Sequence, residues 1–224
     1  MNNSVTAREN EMRVLQAVGC VGWLNAAQVA KWVWGDENRH SARVSADKVL
    51  KRLAAAGQVL RRESLTGVFV YVLTGAGALR ANEGVRVPLF KDGYDLSQLD
   101  VGRQAPAVEY LVGQHRQGKT VLGAASLRSA LKAGVVAGEG LTGADGLVFD
   151  SETGELRAVL VVRNTHQELV KKAQRIKKAA GELELLGNAA LLRMFHRAIL
   201  SPYANRPGTQ APTEYVRRKL AAGV

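Results

Sequence analysis

A phosphate-binding pattern is the first group of residues in this chain whose spacing could support chemistry. Residues 113–120 read Gly-Gln-His-Arg-Gln-Gly-Lys-Thr and match the formula G-x-x-x-x-G-K-[ST] in full. In such a loop the backbone amides would surround phosphates, Lys119 would reach the terminal ones and Thr120 would hold Mg²⁺. The pattern requires a preceding strand and a following helix, whereas apolar spacing from Val108 to His115 predicts a helix that runs into it. The helix is the favoured interpretation, and a P-loop ATPase stays an alternative.

A second group of candidate residues lies beside two predicted strands. Asp145 precedes a strand over 147–149, a turn follows at 151–154, and 156–162 is an apolar strand that leads into a helix. This order resembles the core of PD-(D/E)XK nucleases. In those enzymes an Asp at the head of one strand and an (Asp/Glu)-x-Lys at the end of the next bind a divalent metal and orient water.

Only part of that metal site is present in the sequence. Asp145 matches the first acid, but the second motif falls on Val161-Val162-Arg163. Valine has no metal-binding atom, and arginine does not give up its proton as a lysine can. The resemblance therefore implies a nuclease-like α/β module without an intact catalytic motif. We predict no catalytic residue, no metal and no other cofactor, with a metal-dependent nuclease through Asp145 as an alternative.

The clearest pattern of helices and strands that could position functional residues lies between residues 11 and 80. Helical patterns over 8–19 and 26–34 precede a third over 39–56, and strands over 59–65 and 68–73 follow, joined by a Thr66-Gly67 turn. The order and the segments 52–62 and 70–77 resemble the winged-helix superfamily of bacterial DNA-binding proteins. A short helix over 78–83 completes the pattern. The sequence therefore predicts a winged helix-turn-helix that binds duplex DNA.

The third helix divides into an apolar and a polar face. On a helical wheel the apolar arc contains Ala46, Val49, Leu50, Leu53 and Ala54. A helix in the major groove needs short hydrogen-bonding residues at closest approach, and Arg or Lys that reach guanine edges or phosphates. The predicted DNA contacts of this module are Arg39, Ser41, Arg43, Ser45, Lys48 and Arg52 on the helix, with Arg61, Arg62 and Thr66 on the wing. The alternative is a basic face that is only solvated.

Positive charge is concentrated at both ends of the chain. The net charge is +11 and the isoelectric point is near 10.1, which favours a polyanionic partner. Basic residues outnumber acidic ones by 12 to 7 over 1–87 and by 11 to 4 over 168–224, but not over 88–167, at 8 to 9. A second phosphate-contacting surface is predicted from Lys171, Lys172, Arg175 and Lys178, extended by Arg217-Arg218-Lys219. Solubility alone is the alternative explanation for this second group.

The combination of the two modules resembles the replication-relaxation family of plasmid and mobile-element proteins. The junction Arg163-Asn164-Thr165, followed by Glu168, Lys172 and Ile176, carries the resemblance in the second module. It implies a sequence-selective double-stranded DNA-binding accessory protein that acts in replication or conjugative mobilisation without cleaving DNA. The candidate partners are duplex DNA, a relaxase or replication initiator, and a second copy of the chain. A winged-helix transcription regulator with a ligand-binding or dimerising second module is the main alternative.

The predicted class is therefore α+β, with four segments. They are a winged helix-turn-helix over 8–83, a linker over 84–102, a nuclease-like module over 103–200 and a basic tail over 201–224. Residues 183–195 are too mixed in period to assign to strand or helix. The lone Cys20 indicates a buried small hydrophobe in a reducing compartment, and no signal or membrane segment is expected, so the predicted location is cytoplasmic.

Overall fold

The computed structural model describes residues 3–35, 39–164 and 166–199. The predicted tail over 201–224, including Arg217-Arg218-Lys219, lies outside the described residues. Helices and small sheets alternate along the chain, so the predicted α+β class is confirmed. The elements of the N-terminal half are α1 (Asn3–Val21), β1 (Leu24–Asn25), α2 (Ala26–Trp34), α3 (Arg39–Ala55), β2 (Val59–Glu63), β3 (Phe69–Leu73) and α4 (Gly75–Ala81).

Local capping and burial explain the helices of this half. Asn25 accepts a hydrogen bond from the Gln28 amide at 2.9 Å, and the Gln28 side chain accepts one from the Asn25 amide at 3.0 Å, so a capping box starts α2. Helix α3 buries Ala42, Ala46, Val49, Leu50 and Leu53 against α1 and α2. Ala54, which the wheel placed in the apolar arc, is exposed, and Ala42 takes the corresponding place one turn from Ala46.

Strands β1, β3 and β2 form an antiparallel sheet in that order, with β2 at one edge. The hairpin strands are shorter than predicted because Ser64 to Val68 form the loop, in which Gly67 has a φ of 75°. Thr74 caps α4, so this helix starts three residues before its predicted first residue, Ala78. Gly77 lies against the carbonyl oxygen of Gln58, and any side chain at this position would overlap that oxygen.

The second half contains a mixed sheet covered by helices. Its elements are α5 (Gln98–Arg116), β4 (Thr120–Gly123), α6 (Ala124–Lys132), a 3₁₀ turn (Glu139–Leu141), β5 (Gly146–Phe149), β6 (Leu156–Val161), α7 (Gln167–Ala180), β7 (Glu182–Leu186) and α8 (Ala189–Ile199). The strands lie in the order β4-β5-β6-β7, antiparallel except for the parallel pair β6 and β7. Helix α7 makes the crossover that a parallel pair requires.

The connection between the halves is packed rather than extended. Leu89 is buried, and the Asn82 side chain accepts hydrogen bonds from the amides of Leu89 and Phe90. Helix α5 already begins at Gln98, where Ser97 and Asp100 form a capping box, so its first turn lies inside the segment predicted as a linker. The residues left unassigned between 183 and 195 fold as β7 and the first part of α8.

One of the two hydrophobic core clusters contains buried residues of both halves, and several polar contacts also join them. Ser126 on α6 donates a buried hydrogen bond to the Gly19 carbonyl of α1 at 2.6 Å. Gly123 lies against the backbone of Val21, where a methyl group would collide. Lys31 on α2 donates to Glu109 on α5 at 2.8 Å, and this bond lowers the pKa of the Glu109 carboxyl. The second half therefore packs against α1 and α2.

Candidate nucleic-acid interface

The face of α3 that points away from the core is exposed and polar. Ser41 and Lys48 are exposed and Ser45 is half-buried, so the three lie along one side of the helix, as the wheel predicted. Lys48 forms no hydrogen bond or ion pair with any residue that the structure describes. Arg39 begins α3, but its side chain is outside the described part of the chain. Small and cationic groups therefore line this face.

Two further residues border this face and were missed by the sequence analysis. Lys51 and Val44 are both exposed, and Val44 keeps 38% of its surface accessible to solvent. Both positions fall beside the predicted residues on the same helical wheel, so the wheel already contained the signal. A cation and a small apolar group suit a phosphate and a thymine methyl, respectively.

The two other predicted arginines of α3 are held by carboxylates. Arg43 Nε lies 3.4 Å from Asp47 Oδ2 one turn along the helix, and both side chains are exposed. Arg52 Nε lies 3.3 Å from Glu11 Oε1, while Arg80 donates to the other oxygen of Glu11 at 2.8 Å. About half of the Arg52 side chain is still exposed. Its guanidinium group therefore keeps donors for an anion but is fixed toward α1.

The β2–β3 hairpin, predicted as the wing, combines one cation with an apolar tip. The Arg61 guanidinium carbon lies 3.9 Å from the centroid of the Phe69 ring, and both residues are exposed. Thr66 is exposed in the loop, with its hydroxyl oxygen 3.0 Å from that of Ser64. Leu65 is 61% exposed. The hairpin therefore offers Arg61, Thr66 and an apolar tip to a partner.

Arg62, one of the predicted DNA contacts, is hydrogen-bonded within the chain. Its Nη1 donates to the Leu96 carbonyl and its Nη2 to the Tyr94 carbonyl, each at 2.6 Å. Successive side chains of a strand point to opposite faces, so Arg61 and Arg62 could not both face one partner. Arg62 ties the hairpin to the packed connection, and we leave it out of the interface.

The basic residues of α7 lie away from its buried face, as predicted. Ala173 and Ile176 are buried, whereas Lys171, Arg175 and Lys178 are exposed and Lys172 is half-buried. Lys171 lies 3.3 Å from Glu168, and Arg175 donates to the Thr142 carbonyl at 3.2 Å. This surface is cationic, but Lys171 and Arg175 already make polar contacts within the second half.

The residues at the nuclease-like motif do not fit a metal ion. The Asp145 carboxylate accepts a hydrogen bond from the Val161 amide at 2.8 Å and lies 3.6 Å from the Arg163 guanidinium. Val161 is buried and supplies no ligand atom. Val161 thus occupies the position where a metal would need a second carboxylate, and the Arg163 guanidinium supplies the opposite charge next to Asp145.

The phosphate-binding pattern does not form a phosphate-binding loop. Residues 113–116 are the last turn of α5, the Lys119 amide donates to the Gln114 carbonyl, and β4 starts at Thr120. The order is helix, turn, strand, which is the reverse of the order that a P-loop needs. The Lys119 ammonium group lies 3.6 Å from the Asp150 carboxylate.

Cys20 lies at the contact between the two halves. Its thiol donates to the Val121 carbonyl at 2.8 Å, and burial raises its pKa to about 12. Such a thiol stays protonated and unreactive at neutral pH.

Across the described ranges, no cluster of three or more His, Cys, Asp or Glu side chains is placed to hold a metal ion. None of the described helices has the length and apolar character needed to cross a membrane. Comparisons of the chain with protein-family models, with curated proteins and with solved structures found no match.

Proposed function

We propose that this chain is a non-enzymatic, sequence-selective double-stranded DNA-binding accessory protein of a plasmid or mobile element. It acts in replication or conjugative mobilisation, as the resemblance to the replication-relaxation family implies. The observation that carries the proposal is the exposed face of α3, where Ser41, Ser45 and Lys48 lie in a row on a helix whose other side is buried. A helix in the major groove needs one polar face that is exposed and one apolar face that is buried.

The surrounding elements support a winged helix-turn-helix. Helices α2 and α3 follow one another and pack together, and α3 leads directly into the β2–β3 hairpin. Strand β1 pairs with β3 on the side away from β2. With α3 in the groove, Arg61 and Thr66 would contact the sugar-phosphate backbone, which fixes register without reading sequence.

Features of the second half support a role in positioning the first half rather than a role in cleaving DNA. Strands β5 and β6 and helix α7 follow in the order on which the nuclease resemblance rests. Asp145, however, is paired with Arg163 and has no acidic neighbour at Val161. Lys171, Arg175 and Lys178 on α7 would add phosphate contacts that increase affinity and salt dependence.

Selection of duplexes from a randomised library by the full-length protein tests the proposal. We expect one enriched motif, bound about a thousandfold or more tighter than unrelated duplex at physiological salt. Absence of any enriched motif would overturn the proposal. Supercoiled plasmid incubated with the protein and Mg²⁺ should remain supercoiled, and nicking that disappears in Asp145→Ala would replace the accessory role by a nuclease.

Selection from fragmented plasmid and host DNA separates the proposed role from the transcriptional alternative. Fragments around an origin of replication or of transfer are expected, since a relaxase or replication initiator acts there. Enrichment of promoter fragments instead would favour a winged-helix transcription regulator.

A further inference from the structure

A cleft of about 730 Å³ lies between the two halves of the molecule. Helix α1 contributes Arg13, helix α2 contributes Trp32, and the packed connection contributes Arg86 and Phe90. The end of α5 contributes His115, and Lys119 enters from the turn before β4. Its volume is within the range of about 300–1,000 Å³ that small-molecule sites occupy. Neither the DNA-binding face of α3 nor the basic face of α7 takes part in it.

The lining of this cleft is positively charged. Arg13, Arg86 and Lys119 are cations, and the described residues around the cleft include no carboxylate side chain. Asp150 does not line the cleft, and its 3.6 Å separation from Lys119 is longer than a close charge-assisted hydrogen bond. Lys119 therefore keeps ammonium donors for another anion. Arg13 donates to the Val33 carbonyl, which fixes its guanidinium group.

Aromatic rings form another part of the wall. Trp32 and His115 stack with their ring centroids 3.9 Å apart and their planes 13° apart, and Phe90 also lines the cleft. The stack joins α2 to α5 and contributes aromatic rings to the lining of the cleft. Burial, and then the charge of Arg13, lower the pKa of His115, which agrees with a positive field at this place.

We infer that this cleft is a binding site for a small aromatic monophosphate, of the size of a nucleoside monophosphate. The phosphate, with a charge of about −1.5 to −2, matches the cations, and the ring matches the aromatic wall. The site is unrelated to P-loop chemistry, because Lys119 reaches it from a helix-turn-strand segment and the ligand is bound without being hydrolysed. It does not depend on DNA binding by α3. Because both halves line the cleft, a bound ligand also strengthens their packing.

Calorimetric titration of the full-length protein with adenosine monophosphate and with 1-naphthyl phosphate tests the inference. Saturable one-site binding of either monophosphate is expected, with clearly weaker binding of adenosine, 1-naphthol and inorganic phosphate. No saturable binding of either monophosphate overturns the inference. If inorganic phosphate binds as tightly as the monophosphates, the aromatic rings contribute nothing to binding, and the inference is overturned as well.

A pair of double variants locates the site. Arg86→Gln with Lys119→Gln should weaken binding by at least about tenfold, because two charge-assisted contacts are lost. Arg128→Gln with Lys132→Gln removes the same charge from exposed positions on α6 and should leave affinity unchanged. Equal losses in both would indicate attraction to net charge alone and refute the site.

The titration of His115, followed by NMR of its imidazole protons, gives a readout that a folding defect would not produce. Addition of the bound monophosphate to wild-type protein should raise the pKa of His115, because a nearby dianion favours the imidazolium form. Saturable binding without any change at His115 would place the ligand elsewhere and overturn the assignment.

Discussion

Lys48→Ala is the most direct perturbation of the proposed groove-reading face. Lys48 lies near the middle of the exposed side of α3, and it makes no hydrogen bond or ion pair within the part of the chain that the structure describes. Its removal should therefore change the free energy of unfolding by no more than about 0.5 kcal/mol. Alanine also has the higher helix propensity, which favours the fold slightly. Any loss of DNA binding then reports on the interface itself.

The position of Lys48 sets the expected loss in binding. A lysine that contacts a base edge contributes about 1–3 kcal/mol, which corresponds to a loss of about 5-fold to 150-fold on the selected duplex. Such a loss falls mainly on the selected sequence, so discrimination against unrelated duplex decreases by a similar factor. A lysine that contacts only phosphate would weaken both duplexes alike and reduce the salt slope by about one. Because Lys48 lies between Ser41 and Val44 on the wheel, near the middle of the exposed arc, we expect the base-edge outcome.

Fluorescence anisotropy with a labelled selected duplex and a scrambled duplex, over a series of salt concentrations, measures both quantities. Lys132→Ala is the matched control, since Lys132 is exposed near the end of α6 and its removal changes net charge equally. Lys48→Ala should lose affinity and discrimination, and Lys132→Ala should lose neither. If the two variants give the same affinity, discrimination and salt slope, α3 is not the recognition helix.

The remaining predictions concern the framework. Arg62→Ala should lower the free energy of unfolding by about 2 kcal/mol, since it breaks two charge-assisted hydrogen bonds, whereas Arg61→Ala should cost only about 0.5–1 kcal/mol; equal costs in urea denaturation would contradict the roles given to them. Gly77→Ala should prevent stable folding because its methyl group overlaps a backbone carbonyl, whereas Gly113→Ala, in open space within α5, should add about 0.5–1 kcal/mol in the same assay. His115 has a lowered pKa, so wild-type stability should fall as pH drops from about 6.5 through the lower folded value. His115→Phe, which keeps a stacked ring, should lose this dependence, and an unchanged pH profile would refute it.

Local rules predicted the parts of the fold that depend on local contacts. Helix α2 occupies the predicted residues, Ala26–Trp34, and α3 extends over the predicted segment apart from its last residue. The start of α5 was missed although Ser97 and Asp100 form a visible capping-box spacing, because nearby turn-forming residues favoured a linker. Strand β4 was missed because four residues are too short for alternation to be recognised.

Long-range contacts determine side-chain partners that local sequence patterns do not predict. Arg61 and Arg62 are adjacent and chemically identical, yet only tertiary structure shows that carbonyls at Tyr94 and Leu96 bind the second. The cleft is a similar case, since Arg13 and Lys119 are more than a hundred residues apart in the chain. No spacing rule brings such residues together, because the packing of the two halves does so.

The pairing of Asp145 with Arg163 connects the proposed loss of cleavage with the stability of the second half. The Asp145 side chain is only 14% exposed, and a carboxylate in such a place is costly unless hydrogen bonds and opposite charge compensate it. In a metal-dependent nuclease the ion supplies that charge, whereas here the Arg163 guanidinium and the Val161 amide do so. The module can therefore fold around Asp145 without a metal. The second half can therefore pack against α1 and α2, and this packing leaves the polar face of α3 exposed.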